Sequence, residues 1–538
     1  MSDVPARSGA APQAAPVAPA TRAANAGITR EPRLKDWLGV MAMVFGMFLA
    51  LMDIQIVTSS LTQIQGGLAA SPDEISWVQT SYLIAEVVMI PLSGSLSRLL
   101  STRVLFTISA IGFTVTSALC ACATNLEAMI VFRTLQGFIG GAMIPTVFPV
   151  VYTVFPPRQL AVVMVMISLI LNLSSTMGPT LGGFLTDTYS WHWLFLVNIP
   201  PGAAIATAVW FLIDVDKPDR SLLRYFDLSG LALMAVFLGC LTYALEEGPR
   251  WDWFADTTIA IVVAVSAATG ALFFWRVLTY RQPIVELRAF KNRNFALGTF
   301  YTFVVGTGLF GVTYILPLFL AQVRGFNAWQ IGTTVVVTGL AQLLISPIAA
   351  PMSRKMDLRL MLAMGMGMFV VAMYLTANLT NQSSFEELLV PQALRGFALM
   401  FCYLPANLIA LGTLPADMLK NAAGLYNLMR NLGGAIVIAV IGTVTNWRLH
   451  FHWNRLIEDV NAARPAVRQF LDAQTGRFES LMPDDPGAAA IKLLARLVQR
   501  EALVMTFNDI IMLLGIIFVA GLALMPLVRR PRSATATH

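Results

Sequence analysis

Pro91-Leu92-Ser93-Gly94-Ser95-Leu96-Ser97-Arg98, closed by Arg103, recurs in the same chain as Pro347-Ile348-Ala349-Ala350-Pro351-Met352-Ser353-Arg354, closed by Arg359, at a constant offset of 256 residues. Gln136-Gly137-Phe138 with Pro145 beyond it is echoed by Arg395-Gly396-Phe397 with Pro405 beyond it. Two related halves follow from this, and a fixed self-similarity of this kind is the signal that most constrains an architecture.

The medium in which those halves fold is set by composition. Of 538 residues, 57% are hydrophobic and 12% charged, with a mean hydropathy of +0.69; soluble domains carry about 25% charged residues. Fourteen apolar segments approach or exceed the length of a bilayer span, near 37–61, 75–97, 104–123, 128–155, 159–186, 193–213, 228–245, 257–275, 294–320, 329–352, 360–377, 388–414, 421–445 and 504–527. The expectation is an all-α polytopic membrane protein with two six-helix bundles, 37–213 and 294–527. Since the copies lie more than six spans apart, residues 214–293 read as two inserted spans with linkers. Residues 1–36, rich in Ala, Pro and Arg, read as a disordered tail with no cleavable leader, and 528–538 as a second tail.

Lys and Arg mark the cytoplasmic side of a membrane protein. Only Arg250 and Arg324, of 36 such residues, fall in short loops on one side, whereas both tails and the alternate loops are basic. Both termini are therefore expected in the cytoplasm. The net charge of +6 is explained by topology, and no nucleic-acid partner is expected.

Several segments carry a family resemblance. Gly178-Pro179-Thr180-Leu181-Gly182-Gly183 is similar to the antiporter motif of the major facilitator superfamily, and Arg133-Thr134-Leu135-Gln136-Gly137 to its intramembrane arginine motif. Asp53 matches the first-span aspartate of fourteen-span drug:proton antiporters of the EmrB/QacA type. Trp191-His192-Trp193-Leu194-Phe195 through Asn198 and Pro200, and Asn427 through Arg430, Asn431, Gly433 and Gly434, resemble the same family. The resemblance covers residues 37–527 and implies the major facilitator fold at the inner membrane, with substrate held between the halves. One signature departs: the loop after the second span lacks its usual acid and reads Gly94 to Arg103, which leaves the inner-side charge lock of the family without its carboxylate.

Physical chemistry gives these motifs content of their own. Ser174, Gly178 and Gly182 recur every four residues, a stripe on which another helix can approach closely, and Pro179 removes a backbone donor. Packing alone is one reading; the family reading is a seal on the inner side of the cavity, with Gly183 completing the motif. Arg133, Gly137 and Gly141 share a second such face. Asp53, Glu86 and Arg133 are ionisable residues inside spans, each about 2.5–3.5 kcal/mol unfavourable at a helix centre, and they fall at similar depths. Two carboxylates near one guanidinium can exchange a proton as access alternates, with a fixed ion pair as the alternative. Gln79, Tyr82, Glu86 and Ser93 give the second span a polar face that suggests a hydrated cavity. Gln79, Tyr82, Arg395, Asn427 and Arg430 are the candidate cavity residues; Arg395 and Arg430 either bind carbonyls, snorkel, or meet an anionic substrate.

Other chemistry is missing. There is no phosphate-binding G-x-x-x-x-G-K-[ST] loop, and Cys120, Cys122, Cys240 and Cys402 fall within spans, where they read as apolar fillers. His450 and His452 alternate near a membrane edge without the acids or cysteines of a metal site. No cofactor, no metal and no enzymatic activity are expected. The functional expectation is proton-driven efflux of small amphiphilic compounds, with 26 Met and 32 Phe available to line an adaptable cavity; proton-linked uptake and a non-transporting receptor are the alternatives. The long outer segment 446–503 carries a run from Ala488 with helical apolar spacing. It is expected to lie on the periplasmic surface, either as a cap or, by the resemblance, as a docking site for an adaptor protein.

Overall fold

The computed structural model describes residues 31–528 apart from 72–73, 281–282, 416–417, 462 and 480–484; the expected tail over 1–30 and the end of the chain from 529 lie outside the described residues. Among the described residues the regular elements are helical: α1 (Leu34–Ser59), α2 (Leu61–Leu68), α3 (Trp77–Leu100), α4 (Thr102–Ala121), α5 (Leu126–Gly140), α6 (Met143–Val154), α7 (Pro157–Thr188), α8 (Trp193–Leu196), α9 (Ile199–Leu212), α10 (Leu228–Glu247), α11 (Thr257–Thr279), α12 (Arg293–Gln322), α13 (Ala328–Lys355), α14 (Leu358–Thr376), α15 (Phe385–Ala410), α16 (Leu419–Asp459), α17 (Pro465–Phe478) and α18 (Pro486–Ala523). Among the described residues thirteen helical spans are long and apolar enough to cross a membrane; the remaining expected segment, 159–186, falls on the 32-residue α7. All-helical spans are what a bilayer demands, because each N–H and C=O is then satisfied within its own segment.

Composition decides where the helices break. The fourth span is interrupted after Gly140, where two turn residues separate α5 from α6, and the sixth is built from the short α8 followed by α9, whose first turn holds Pro200 and Pro201. Pro at a first turn forfeits a donor that had no partner anyway. α7 runs through Pro179 as one helix.

Close helix approach follows the glycines. A Cβ on Gly137 would lie 2.3 Å from the carbonyl oxygen of Tyr82, and one on Gly141 3.1 Å from that of Glu86, so α5 meets α3 backbone to backbone. In the second half Gly396 stands 2.4 Å, on the same measure, from the carbonyl oxygen of Thr338. Tyr82 and Thr338 are 256 residues apart, so the repeat is a repeat of packing.

The segment 446–503 differs from expectation. α16 continues as one helix of 41 residues to Asp459, and α18 is one helix of 38 residues from Pro486; the run from Ala488 is therefore the start of the last span and not a helix lying on the surface. The physical reason is that nothing in 486–503 breaks a helix, so the apolar and amphipathic stretches merge. With α17 packed on α18, these extensions form a helical projection. Its base is tied by Asp509 of α18, which accepts from Arg448 Nε at 2.6 Å and lies 2.7 Å from His452 Nε2. His452, for which the sequence suggests no acidic partner, thus pairs with a carboxylate.

Candidate functional site

Five helical segments converge on one carboxylate. Asp53 in α1 is fully buried, and its Oδ2 accepts from Arg133 Nη1 of α5 at 2.6 Å. Its Oδ1 accepts from Asn198 Nδ2 at 2.7 Å and from Gln136 Nε2 at 3.3 Å. Arg133 is itself fully buried; its Nε donates to the Val78 carbonyl at 3.1 Å and Nη1 also to Gln136 Oε1 at 2.8 Å. Behind Asn198, Ser117 Oγ accepts at 3.1 Å and donates to the Phe195 carbonyl at 2.9 Å. The Tyr82 ring covers the guanidinium, with its centroid 4.2 Å from Cζ. An unpaired buried charge is strongly unfavourable and a hydrogen-bonded pair is tolerated, which is why the two residues occur together.

The polar face expected on α3 is not an open wall. Tyr82 is fully buried over Arg133, and Ser93 bonds the Ile90 carbonyl within its own helix. Gln79 accepts from Thr58 Oγ1 at 2.7 Å, which ties α3 to α1. Glu86, also buried, makes no ion pair among the described residues and stands within electrostatic reach of Arg430 of α16 and of Arg133. It shares none of the hydrogen bonds around Asp53, although Asp53 and Arg133 of the first half and Arg430 of the second all act on it as charges. Asn198 and Ser117 are not legible from the sequence as members of this cluster; the available signal for Asn198 is a polar residue inside an apolar span, two positions before Pro200.

The antiporter motif packs against α1. A Cβ on Gly178 would meet Gln55 Cβ at 2.3 Å, and one on Gly182 would meet Ser59 Oγ at 2.6 Å and the Ile56 carbonyl at 3.0 Å. Thr186 Oγ1 donates to the Gly182 and Gly183 carbonyls. Gln55 to Ser59 form the last turns of α1, so the contact lies at the end of the bundle away from the basic loops.

At the basic end the missing acid has a substitute. Asp216, from the linker after α9, accepts from Thr102 N at 3.0 Å and from its hydroxyl at 3.0 Å, and pairs with Lys420 at the start of α16. Lys420 Nζ also reaches the Ser97 carbonyl at 3.3 Å. Gly94 is within 2.9 Å, as a Cβ, of Lys420 and Asn421 backbone atoms. The two halves are thus joined here by an ion pair whose carboxylate comes from outside the 94–103 loop. Within that loop Ser101 holds φ 79° and ψ 152°, a region that favours glycine.

Across the second half the candidates behave differently. Gln392 Nε2 donates to the Thr334 carbonyl at 3.1 Å, and Thr334 is the counterpart of Val78 at the 256 offset. Gln392 therefore stands where Arg133 stands, and Arg395 where Gln136 stands. Arg395 Nη2 donates to Thr338 Oγ1 at 2.6 Å. Arg430 Nη1 reaches Tyr403 Oη at 3.4 Å, and Asn427 Nδ2 bonds the Ala423 carbonyl at 2.9 Å. All three are buried.

This duplicated arrangement has known relatives. The sequence matches the family model of the Major Facilitator Superfamily over residues 43–438. The chain belongs to the major facilitator superfamily. Within that superfamily it is of the EmrB/QacA type: it is 41% identical over 91% of its length to a colistin resistance protein, EmrB, of Acinetobacter baumannii, covering 95% of that protein. It is 29% identical over 92% of its length to the multidrug export protein EmrB of Escherichia coli K12, covering 95% of it. In fold it resembles the proton:xylose symporter XylE with a TM-score of 0.59 at 11% identity, over 92% of this chain and 96% of that one. This major facilitator chain is accordingly a multi-pass membrane transporter and not an enzyme.

Proposed function

We propose that the chain exports small amphiphilic, toxic compounds across the inner membrane in exchange for protons, with both termini in the cytoplasm. The observation that carries the reading is the Asp53–Arg133 pair at 2.6 Å, sealed in the first bundle. Support for export comes from relatives named for multidrug export and for resistance. Support for the sidedness comes from the distribution of Lys and Arg.

In this reading Asp53 carries the coupling proton. Ionised, it holds Arg133, Gln136 and Asn198; protonated, it releases the guanidinium and loosens the packing of α1 on α5. Asn198 suits both states, because its Oδ1 is buried without a hydrogen-bond partner among the described residues, so a flipped amide accepts the acid proton. A gradient does work only if protonation changes the balance between outward-open and inward-open states. Glu86, facing Arg430 across the seam, is the second titratable group of the path. The projection formed by α16, α17 and α18 is the surface offered to a periplasmic adaptor.

The test is Asp53→Asn in reconstituted vesicles. Loss of proton-driven flux with energy-independent substrate exchange preserved is expected; normal coupled flux would overturn the assignment, and flux directed inward would assign uptake.

A further inference from the structure

The two halves repeat the same packing with opposite charge. In the first, the site holds Asp53, Glu86 and Arg133. In the second, α12, α13 and α14 contain no Asp or Glu, the two acids of α15 sit exposed in its first turn, and the first acid of α16 is Glu458. Two guanidinium groups are nevertheless buried there, Arg395 at 4% exposure and Arg430 at 1%, and neither makes an ion pair among the described residues. Arg395 Nε and both Nε and Nη2 of Arg430 have no hydrogen-bond partner among the described residues.

A second feature points to the same place. Gln342, at the 256 offset from Glu86, is fully buried, with both Nε2 and Oε1 unpartnered among the described residues. It lies one helical turn from Thr338, so both share a face of α13, and Thr338 is the hydroxyl that orients Arg395. Buried polar groups are normally hydrogen-bonded and buried charges normally paired. Arg430 lies in the field of Glu86, whereas Arg395 has surplus donors and no carboxylate acting on it, so the surroundings of Arg395 are the ones complementary to an oxyanion.

We infer that Arg395, oriented by Thr338, binds the acidic head group of an amphiphilic substrate, a carboxylate or phosphate monoester whose alkyl chain lies in the apolar seam. This deepens the export reading and rests on it for the word substrate. The exchange of Gln392 and Arg395 relative to Arg133 and Gln136 is what frees the guanidinium. Gln392 takes over the carbonyl that Arg133 holds in the first half, and Arg395, one turn further on, turns to a neutral hydroxyl. Guanidinium binds such heads through two parallel charge-assisted hydrogen bonds.

The test compares head groups on one chain length in the purified full-length protein, without a proton gradient, so that its failure is separable from failure of the export reading. Dodecanoate and dodecyl phosphate are expected to bind about tenfold or more tighter than dodecanol, with Arg395→Gln abolishing the difference and Arg395→Lys retaining part of it. If Arg395→Gln does not stay folded, Thr338→Val takes its place and is expected to lower the ratio. The proposal is overturned if the protein does not prefer the acids, or if the preference survives in the tested variant. It is also overturned if the variant loses dodecanol binding together with the acids. Displacement of dodecanoate by inorganic phosphate at matched ionic strength would assign the group to a small anion in place of a substrate.

Discussion

Asn198 Nδ2 lies 2.7 Å from Asp53 Oδ1, on the carboxylate edge that Arg133 leaves free. The two residues are 145 positions apart, and Asn198 reaches Asp53 from the short break between α8 and α9. A hydrogen bond to a charged group contributes about 1.5–3 kcal/mol. Asn198→Ala is expected to lower thermal stability in detergent by about that amount. In the Asp53→Asn background the same change should cost less, because the charge is gone; equal effects in both backgrounds would show that Asn198 does not act through Asp53.

The Asp216–Lys420 pair joins the halves at their basic end. Asp216→Asn should weaken closure there, seen as faster labelling of a Ser97→Cys probe by an impermeant maleimide from that side. The exchange Asp216→Lys with Lys420→Asp should bring labelling partly back. Labelling that ignores both changes would mean the pair is not part of the closure.

Gly137 and Gly367 are both helical, and they should respond oppositely to alanine. At Gly137 the new methyl meets the Tyr82 carbonyl at 2.3 Å, a backbone atom that cannot rotate away, whereas at Gly367 nothing lies within 4 Å. Gly137→Ala is expected to fail to give a monodisperse protein. Gly367→Ala should be stabilising by about 0.5–1 kcal/mol, the usual helix preference. The check is size exclusion followed by thermal unfolding.

Ser101 holds a backbone conformation at φ 79° that strains any residue with a Cβ, by about 1–3 kcal/mol. Its hydroxyl returns only a long contact, 3.4 Å from Val104 N. Ser101→Gly should therefore raise the unfolding temperature; a fall would show that the cap outweighs the strain.

The spans, the duplication and the Asp53–Arg133 partnership were readable because each rests on a local pattern: length of an apolar run, a fixed offset, a charge where charge is unfavourable. What could not be read depended on distant segments meeting. Asp216 lies in a linker and replaces a carboxylate expected in a loop over a hundred residues earlier, and no spacing rule connects them. Tyr82 has the right helical phase for a cavity wall, yet its ring is taken by Arg133. The end of the bundle reached by Gly178 and Gly182 was not legible, because their spacing gives a face of α7 and not the depth of its partner. For 446–503 the apolar spacing was correctly seen, but not that it runs without interruption into the final span.

That continuity has a mechanical consequence. α16 is about 60 Å long at a rise of 1.5 Å per residue, with Arg430 in its buried part and Arg448 and His452 fastened to Asp509 of α18. A rigid rod pivoting inside the bilayer sweeps an arc outside it, and tilting the buried part by about 10° carries a tip about 30 Å away through about 5 Å. The projection then has the geometry of a lever with its fulcrum in the second bundle, so a small tilt of the buried part is magnified at its outer end.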